Sequence, residues 1–310
     1  MERFKKIACL YSAINTDKVA LQRMASLAEM NNARVQAVNV TESVSAVAQM
    51  LIGKEKVLQY ETDRQSNVAD SLAKLIAELN INKIPLSFAS GDSAFETIRF
   101  VLSNKCDLLI KIRDTPSAKE SISTSDMKLL RKCPVPVMLL KPSRKKSFTR
   151  VMAAIDLGPD NSSNHSLIKN ILKLAVSMSE REAAELDIVH AWKTFSATTL
   201  QGPRFKMSTD EVAEIAKSEK ALRQQWMDEA LAPYRDISIK LRSHLIEGDP
   251  SEVIAGFAKK RRVDLVVMGS LARSGFQGLL IGNTAERVLD TVNCSTLTIK
   301  PDDFICPIKA

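Results

Sequence analysis

Four of the chain's ten glycines, Gly269, Gly275, Gly278 and Gly282, fall within fourteen positions of the stretch MGSLARSGFQGLLIGNTAERVL (268–289). The apolar run VDLVVM leads into them, and NTAERVL after them reads as a helix start, with Asn283 or Thr284 as N-cap and Glu286 in the first turn. A strand, a glycine loop and a helix start in that order suit an anion. Backbone N–H groups at a helix start, backed by the helix dipole, attract phosphate, and glycine lets the chain come close. Such loops also serve plain turn geometry, so the glycines alone leave a ligand loop and a structural turn both open. The spacing matches neither G-x-x-x-x-G-K-[ST] nor G-x-G-x-x-G after a first strand, so the P-loop and dinucleotide fingerprints are both absent.

Other reactive residues are few. None of the three histidines, His165, His190 and His244, has ligand spacing such as H-E-x-x-H. His190 lies on an apolar strand and reads as a core or edge histidine, and His165 and His244 read as surface residues. The cysteines, Cys9, Cys106, Cys133, Cys294 and Cys306, are odd in number and show no C-x-x-C pair. They point to a reduced, cytoplasmic setting in which Cys9, Cys106 and Cys294 pack as small apolar groups. No G-x-S-x-G elbow or recognisable cysteine nucleophile occurs, so no catalytic residue and no metal ligand is assigned.

A formal net charge of +8 permits acidic partners without selecting one. The basic run KKRR (259–262) ends a helical pattern, where Lys and Arg complement the dipole without any partner. Three tyrosines and two tryptophans give no aromatic interleaving to stack bases, and nucleic acid is not expected as a partner. No apolar stretch approaches the roughly 20 residues that cross a bilayer. The start, MERFKKIACLYSAI, is interrupted at Tyr11 and Ser12 and reads as a first strand rather than a signal peptide.

The elements that must position the glycine loop occur twice. SGDSAFETIRFVLSNKCDLLIKI (90–112) aligns without a gap to EGDPSEVIAGFAKKRRVDLVVMG (247–269), each reading as turn, helix and buried strand. KIACLYSAINTD (6–17) resembles RVMAAIDLGPDN (150–161), and CPVPVMLLKP (133–142) and NCSTLTIKP (293–301) both close on Lys-Pro. The first half predicts a strand at 7–12, a helix at 17–31 and a strand at 34–40. A long helical region at 43–80, a strand at 84–88, a helix at 93–104 and a strand at 107–112 come next. Strands separated by such crossovers pair in parallel with helices on both faces. The expected class is α/β, with two tandem doubly wound domains, each a mostly parallel five-stranded sheet. Residues 1–142 form the first, 143–149 the linker, 150–303 the second and 304–310 a tail.

The spacing Gly269-x2-Ala272-x9-Gly282-Asn283-Thr284, behind DLVVMGS and ahead of AERVL and TLTIKP, resembles the nucleotide-binding signature of universal stress proteins, Gly-x2-Gly-x9-Gly-Ser/Thr. The likeness covers 150–301 and, more weakly, 5–142, as in the tandem, E-type members of that family. It implies ATP as the ligand, with or without Mg2+. Asp156 would lie near ribose and adenine, and Ala154 and Ala191 would offer backbone groups to the adenine. Gly269 and Ser270 would sit beneath ribose and phosphates with Met268 in the same set, and Gly282, Asn283 and Thr284 would hold the phosphates. Arg273 would add charge. Ala272 departs from the pattern by bringing a Cβ where the family has glycine, and Asn283 by replacing a hydroxyl with an amide. The motifs S-G-G-x-D-S and H-x-G-H of adenylyl-transfer relatives are absent, which leaves at most weak ATP hydrolysis.

The first half lacks the loop. Through the repeat, Gly269 corresponds to Ile112 and Asp156 to Ser12, and RDTPSAKESISTSDMK (113–128) contains no glycine. This half is therefore not expected to bind ATP in the family's manner. Family members pair domains through their last strands, which implies an intramolecular pairing of PVMLLK with STLTIK, with a homodimer as a further option. VSAVAQMLIG (44–53) reads as a core-facing helix or, in the sharper alternative, as one wall of an apolar-ligand site. The function implied is a stress-response, nucleotide-responsive module acting on a protein partner. The alternative is a scaffold whose first domain holds an apolar ligand or a protein.

Overall fold

The computed structural model describes residues 4–13, 18–114, 122–142, 145, 147–158, 162–194, 197–270 and 282–309. In the first half the order is β1 (Lys6–Leu10), α1 (Lys18–Met30), β2 (Arg34–Thr41), α2 (Ala46–Ile52), α3 (Lys54–Leu79), β3 (Leu86–Ser90), α4 (Ser93–Ser103), β4 (Leu108–Ile112), α5 (Thr124–Lys132) and β5 (Val137–Leu140). The second half repeats it as β6 (Arg150–Ala154), α6 (Ser162–Glu182), β7 (Glu185–Trp192), α7 (Ala197–Gln201), α8 (Thr209–Leu231), β8 (Leu241–Glu247), α9 (Pro250–Arg261), β9 (Leu265–Gly269), α10 (Asn283–Thr291) and β10 (Ser295–Ile299).

The repeated dipeptides have the same physical task in each half. Gly91 and Gly248 adopt φ of +144° and +147°, which side chains other than glycine rarely take. The aspartates that follow cap the next helix. Asp92 accepts from the N–H groups of Ala94 and Phe95, and Asp249 from that of Ser251. The Asp-Leu pairs fix the first strands instead. Asp107 accepts from the Lys5 and Lys6 N–H groups at 2.7 and 3.1 Å, and Asp264 from those of Thr149 and Arg150 at 2.8 and 3.1 Å. Lys145 of the connector adds an ion pair to Asp264 at 2.7 Å.

The ten strands among the described residues form one sheet in the order β3-β2-β1-β4-β5-β10-β9-β6-β7-β8. Pairing is parallel within each half and antiparallel where β5 meets β10, with Leu139 opposite Thr296 and Val137 opposite Thr298. Two apolar layers run across the seam. One joins Ile7, Ile110 and Met138 to Val151, Val267 and Leu297, and the other joins Leu109, Val137 and Leu139 to Met152, Val266 and Val288. Cys9, Cys106, Cys133 and Cys294 are buried in these layers. The start of the chain does supply a strand, β1, central in its half. Among the described residues no helix is long and apolar enough to cross a membrane.

Two expectations are corrected. The 43–80 region is not continuous: it breaks at Gly53 into α2 and α3, and β3 begins only after Pro85, which has no N–H to donate. VSAVAQMLIG is not core-facing either. No residue of α2 is buried, and Met50 and Leu51 are 85% and 82% exposed. Its helical spacing reads as amphipathic, but the helix stands off the sheet on α3.

Because both apolar layers cross the seam, the halves should unfold together. Leu297→Ala, deep in one layer, is expected to cost about 2–5 kcal/mol. Urea unfolding should then show one transition at a lower midpoint. Two transitions, of which only one moves, would show that the halves are independent.

Candidate functional site

In each half, the chain goes from its first strand to neighbours on opposite sides, which creates a switch point where open α/β sheets bind ligands. In the second half this point lies between β6 and β9. Ala154 pairs in register with Met268, and Ala191 lies at the end of β7 on the other side of β6. Asp156 is exposed two residues beyond β6. Gly269 ends β9, where an added Cβ would come within 2.9 Å of Leu167 Cδ2 on α6, so close helix packing favours glycine here. Gly282 returns to this edge, its N–H donating to the Ser270 carbonyl at 3.2 Å, and serves as the N-cap of α10.

The start of α10 has no side-chain cap, in contrast to α4, α5, α8 and α9, which are capped by Asp92, Ser123, Ser208 and Asp249. Asn283 and Thr284 are exposed in its first turn, and the turn's carboxylate, Glu286, is paired with Arg131 of α5, so among the described residues no side chain caps the positive end of this helix. Ser270 is differently disposed. Its N–H donates to the Ile299 carbonyl at 3.0 Å, and its hydroxyl, fully buried, lies 3.1 Å from Lys300 Nζ. Its polar groups tie the end of β9 to β10 and Lys300. Ala272 and Arg273 lie outside the described residues.

Lys300 was not singled out by the sequence. It is buried, and its ammonium donates to the Leu130 carbonyl of α5 and to Ser270 Oγ, so it joins the first half to the base of the loop. Burial pushes its pKa down to about 8.

The first half builds the same edge with different chemistry. Ile112 ends β4, and the start of α5 is occupied from within. Asp126 Oδ1 accepts from Lys111 Nζ at 2.5 Å, Asp126 Oδ2 from the Asp114 N–H at 3.1 Å, and Ser123 Oγ from the Asp126 N–H at 3.0 Å. Asp126 is buried, which pushes its pKa up against the opposing pull of Lys111. A buried carboxylate therefore sits at the third helical position of α5, where α10 has the buried Ala285.

A family model for the universal stress protein family matches residues 3–141 and again 147–300. The chain belongs to that family. Universal stress protein E of Photorhabdus laumondii is 26% identical over 323 residues, covering 100% of this chain and 99% of the relative. The universal stress protein E homolog of Haemophilus influenzae is 27% identical, covering 96% and 98%. Among solved structures, a functionally unknown protein from Pseudomonas aeruginosa PAO1 superposes with a TM-score of 0.73 at 24% identity, covering 97% of this chain and 94% of its own. A universal stress protein from Archaeoglobus fulgidus gives 0.66 at 16% identity, covering 95% and 98%. Both share the tandem fold.

In this universal stress protein His190 and His244 make structural contacts. His190 is buried, with Nδ1 3.2 Å from the Ile155 carbonyl, and Asn39, at the same place in the first half, donates to the Tyr11 carbonyl at 2.9 Å. Each side chain holds the turn after a first strand. His165 is exposed as expected. His244 is not a plain surface residue: its Nε2 lies 2.8 Å from the fully buried carboxylate of Asp187, which also pairs with Arg261 at 3.3 Å. This network lies toward the amino ends of the strands, away from the switch point.

The depressed pKa of Lys300 predicts a pH dependence. Its folded value, about 8, lies below the ordinary 10.5, so between them the unfolded chain holds more protons and stability rises with pH. From pH 7 to pH 9 the native protein should gain about 1 kcal/mol relative to Lys300→Met, read from urea midpoints. Cys9, Cys133 and Cys294, pushed up to about 12 by burial, oppose this above the ordinary thiol range. Cys9 and Cys294 are common to both proteins and cancel, and loss of Lys300, which lowers the Cys133 value, only keeps that thiol protonated to higher pH. Parallel profiles would mean that Lys300 titrates normally.

Proposed function

We propose that the second half binds ATP, with or without Mg2+, between the carboxyl ends of β6 and β9, and that occupancy controls what the protein presents to a partner. The observation that carries this reading is the start of α10. It is uncapped, tied by Gly282 to the strand end at a switch point, and flanked by the residues that match the family's signature. Gly282, Asn283 and Thr284 would take the phosphates, and Asp156, exposed at the end of β6, the ribose. The backbone beside Ala154 and Ala191 would face the adenine.

Nothing in this set performs acid–base or nucleophilic chemistry, so the activity is binding with at most slow hydrolysis through phosphate positioning. Bound nucleotide would bridge β6, β9 and α10 and make that edge more rigid. The reading implies one nucleotide per chain, because at the first-half edge Asp126 occupies the helix start, where a phosphate would meet a buried carboxylate.

Calorimetric titration of the intact protein with ATP and magnesium should give a stoichiometry near one. Gly282→Asp places a carboxylate at the N-cap, which suits the helix and repels phosphate, so affinity should fall at least tenfold while thermal stability holds. Binding that survives this change, or no binding to the intact protein, would sink the proposal.

A further inference from the structure

The first half has a cavity of about 160 Å³ at its own switch point, between the ends of β1 and β4 and under α1. One side of it is apolar, from Tyr11, Leu21, Met24, Ile110, Ile112 and Leu140, and the other carries Ser93, Lys111, Asp114 and Ser125. The α2 segment, expected to form a wall, contributes none of its described lining. The position corresponds to the nucleotide edge of the second half, but the chemistry has changed. Ile112 stands where Gly269 stands, and the polar end of the cavity has two carboxylates for one ammonium, Asp114 and Asp126 around Lys111. Lys111 is bonded to both, so its charge is already balanced and the local excess is negative. An anionic ligand would be repelled there.

Ser125 is the second observation. Its hydroxyl lines the cavity from the first turn of α5 and is buried without a hydrogen-bond partner. A buried hydroxyl left so loses the water it would otherwise bind, and it can both donate and accept. The volume also sets the ligand's size, since about 150 Å³ is enough space for a benzene ring. We propose that the first half binds an uncharged, ring-sized amphiphile, such as a phenol or an indole, with its ring among Leu21, Met24 and Ile110 and its single polar group on Ser125 Oγ. The site is independent of the nucleotide reading.

The test uses the intact chain with phenol, toluene, indole and benzoate as probes, followed by saturation-transfer NMR and calorimetry, with and without ATP. Phenol and indole should bind saturably, and benzoate at least tenfold more weakly than phenol. Met24→Phe, which fills the cavity, should abolish binding. Ser125→Ala, which removes only a hydroxyl that bonds nothing among the described residues, should weaken phenol about tenfold and leave toluene unchanged, which keeps the test decisive if Met24→Phe does not fold. Saturating ATP should leave all these affinities within twofold. Absence of saturable binding by phenol and indole would overturn the proposal. So would benzoate binding as tightly as phenol, or a folded Met24→Phe protein with unchanged affinity.

Discussion

The antiparallel pairing of β5 with β10 is the constraint on which the rest of the molecule depends. Each half, taken alone, is a parallel sheet whose last strand would be an open edge with unpaired N–H and C=O groups and apolar side chains on both faces. Joining the two last strands removes both edges and makes the two apolar layers continuous. It also reverses direction at the seam. The carboxyl ends of the first-half strands and those of the second-half strands therefore open at opposite edges of one sheet.

That reversal explains why the helices beside the seam serve both halves. α5 starts at the first-half edge and runs toward the second-half edge, where the Leu130 carbonyl receives Lys300 and Arg131 pairs with Glu286 of α10. α10 does the reciprocal. It starts at the second-half edge and ends where its C-cap carbonyl, Val292, accepts from Arg113 at 2.7 Å and Asp290 from the Ile122 N–H at 3.1 Å. Neither edge can be described from its own half alone. A buried lysine at one and a buried arginine at the other are each satisfied by a helix carbonyl from across the seam.

The framework was legible in the sequence because it is encoded locally. Apolar runs led by Asp-Leu mark the inner strands, and Gly-Asp marks a turn with a helix cap, and both dipeptides act in both halves as their repetition implied. The α10 start was legible for the same reason. What could not be read was tertiary. Lys300 follows a strand and reads as its polar end, and only the arrival of α5 buries it. Asp126 reads as an ordinary first-turn acid until β4 brings Lys111 against it, and His244 as a surface residue until β7 places Asp187 beside it. VSAVAQMLIG misled in the opposite sense, since its spacing is that of a buried face while its position on α3 leaves it exposed.

The two edges then illustrate how one framework diverges without losing stability. Positions that hold the framework have the same role in both halves: Asp107 and Asp264 fix the first strands, and Asn39 and His190 hold the turns after them. Positions that face the switch point do not. Where the second half has Gly269 packed against Leu167, the first has Ile112 on a cavity wall. Where the second leaves a helix start uncapped, the first fills it with Asp126 and compensates that charge with Lys111. A buried lone carboxylate at that place would be costly, and so would a buried lone lysine, so removing either partner alone destabilises the first half more than replacing both by apolar groups. The ion pair of the first half thus sets a buried carboxylate against any anion at its edge, whereas at the start of α10 the third helical position is Ala285 and no buried carboxylate stands there among the described residues.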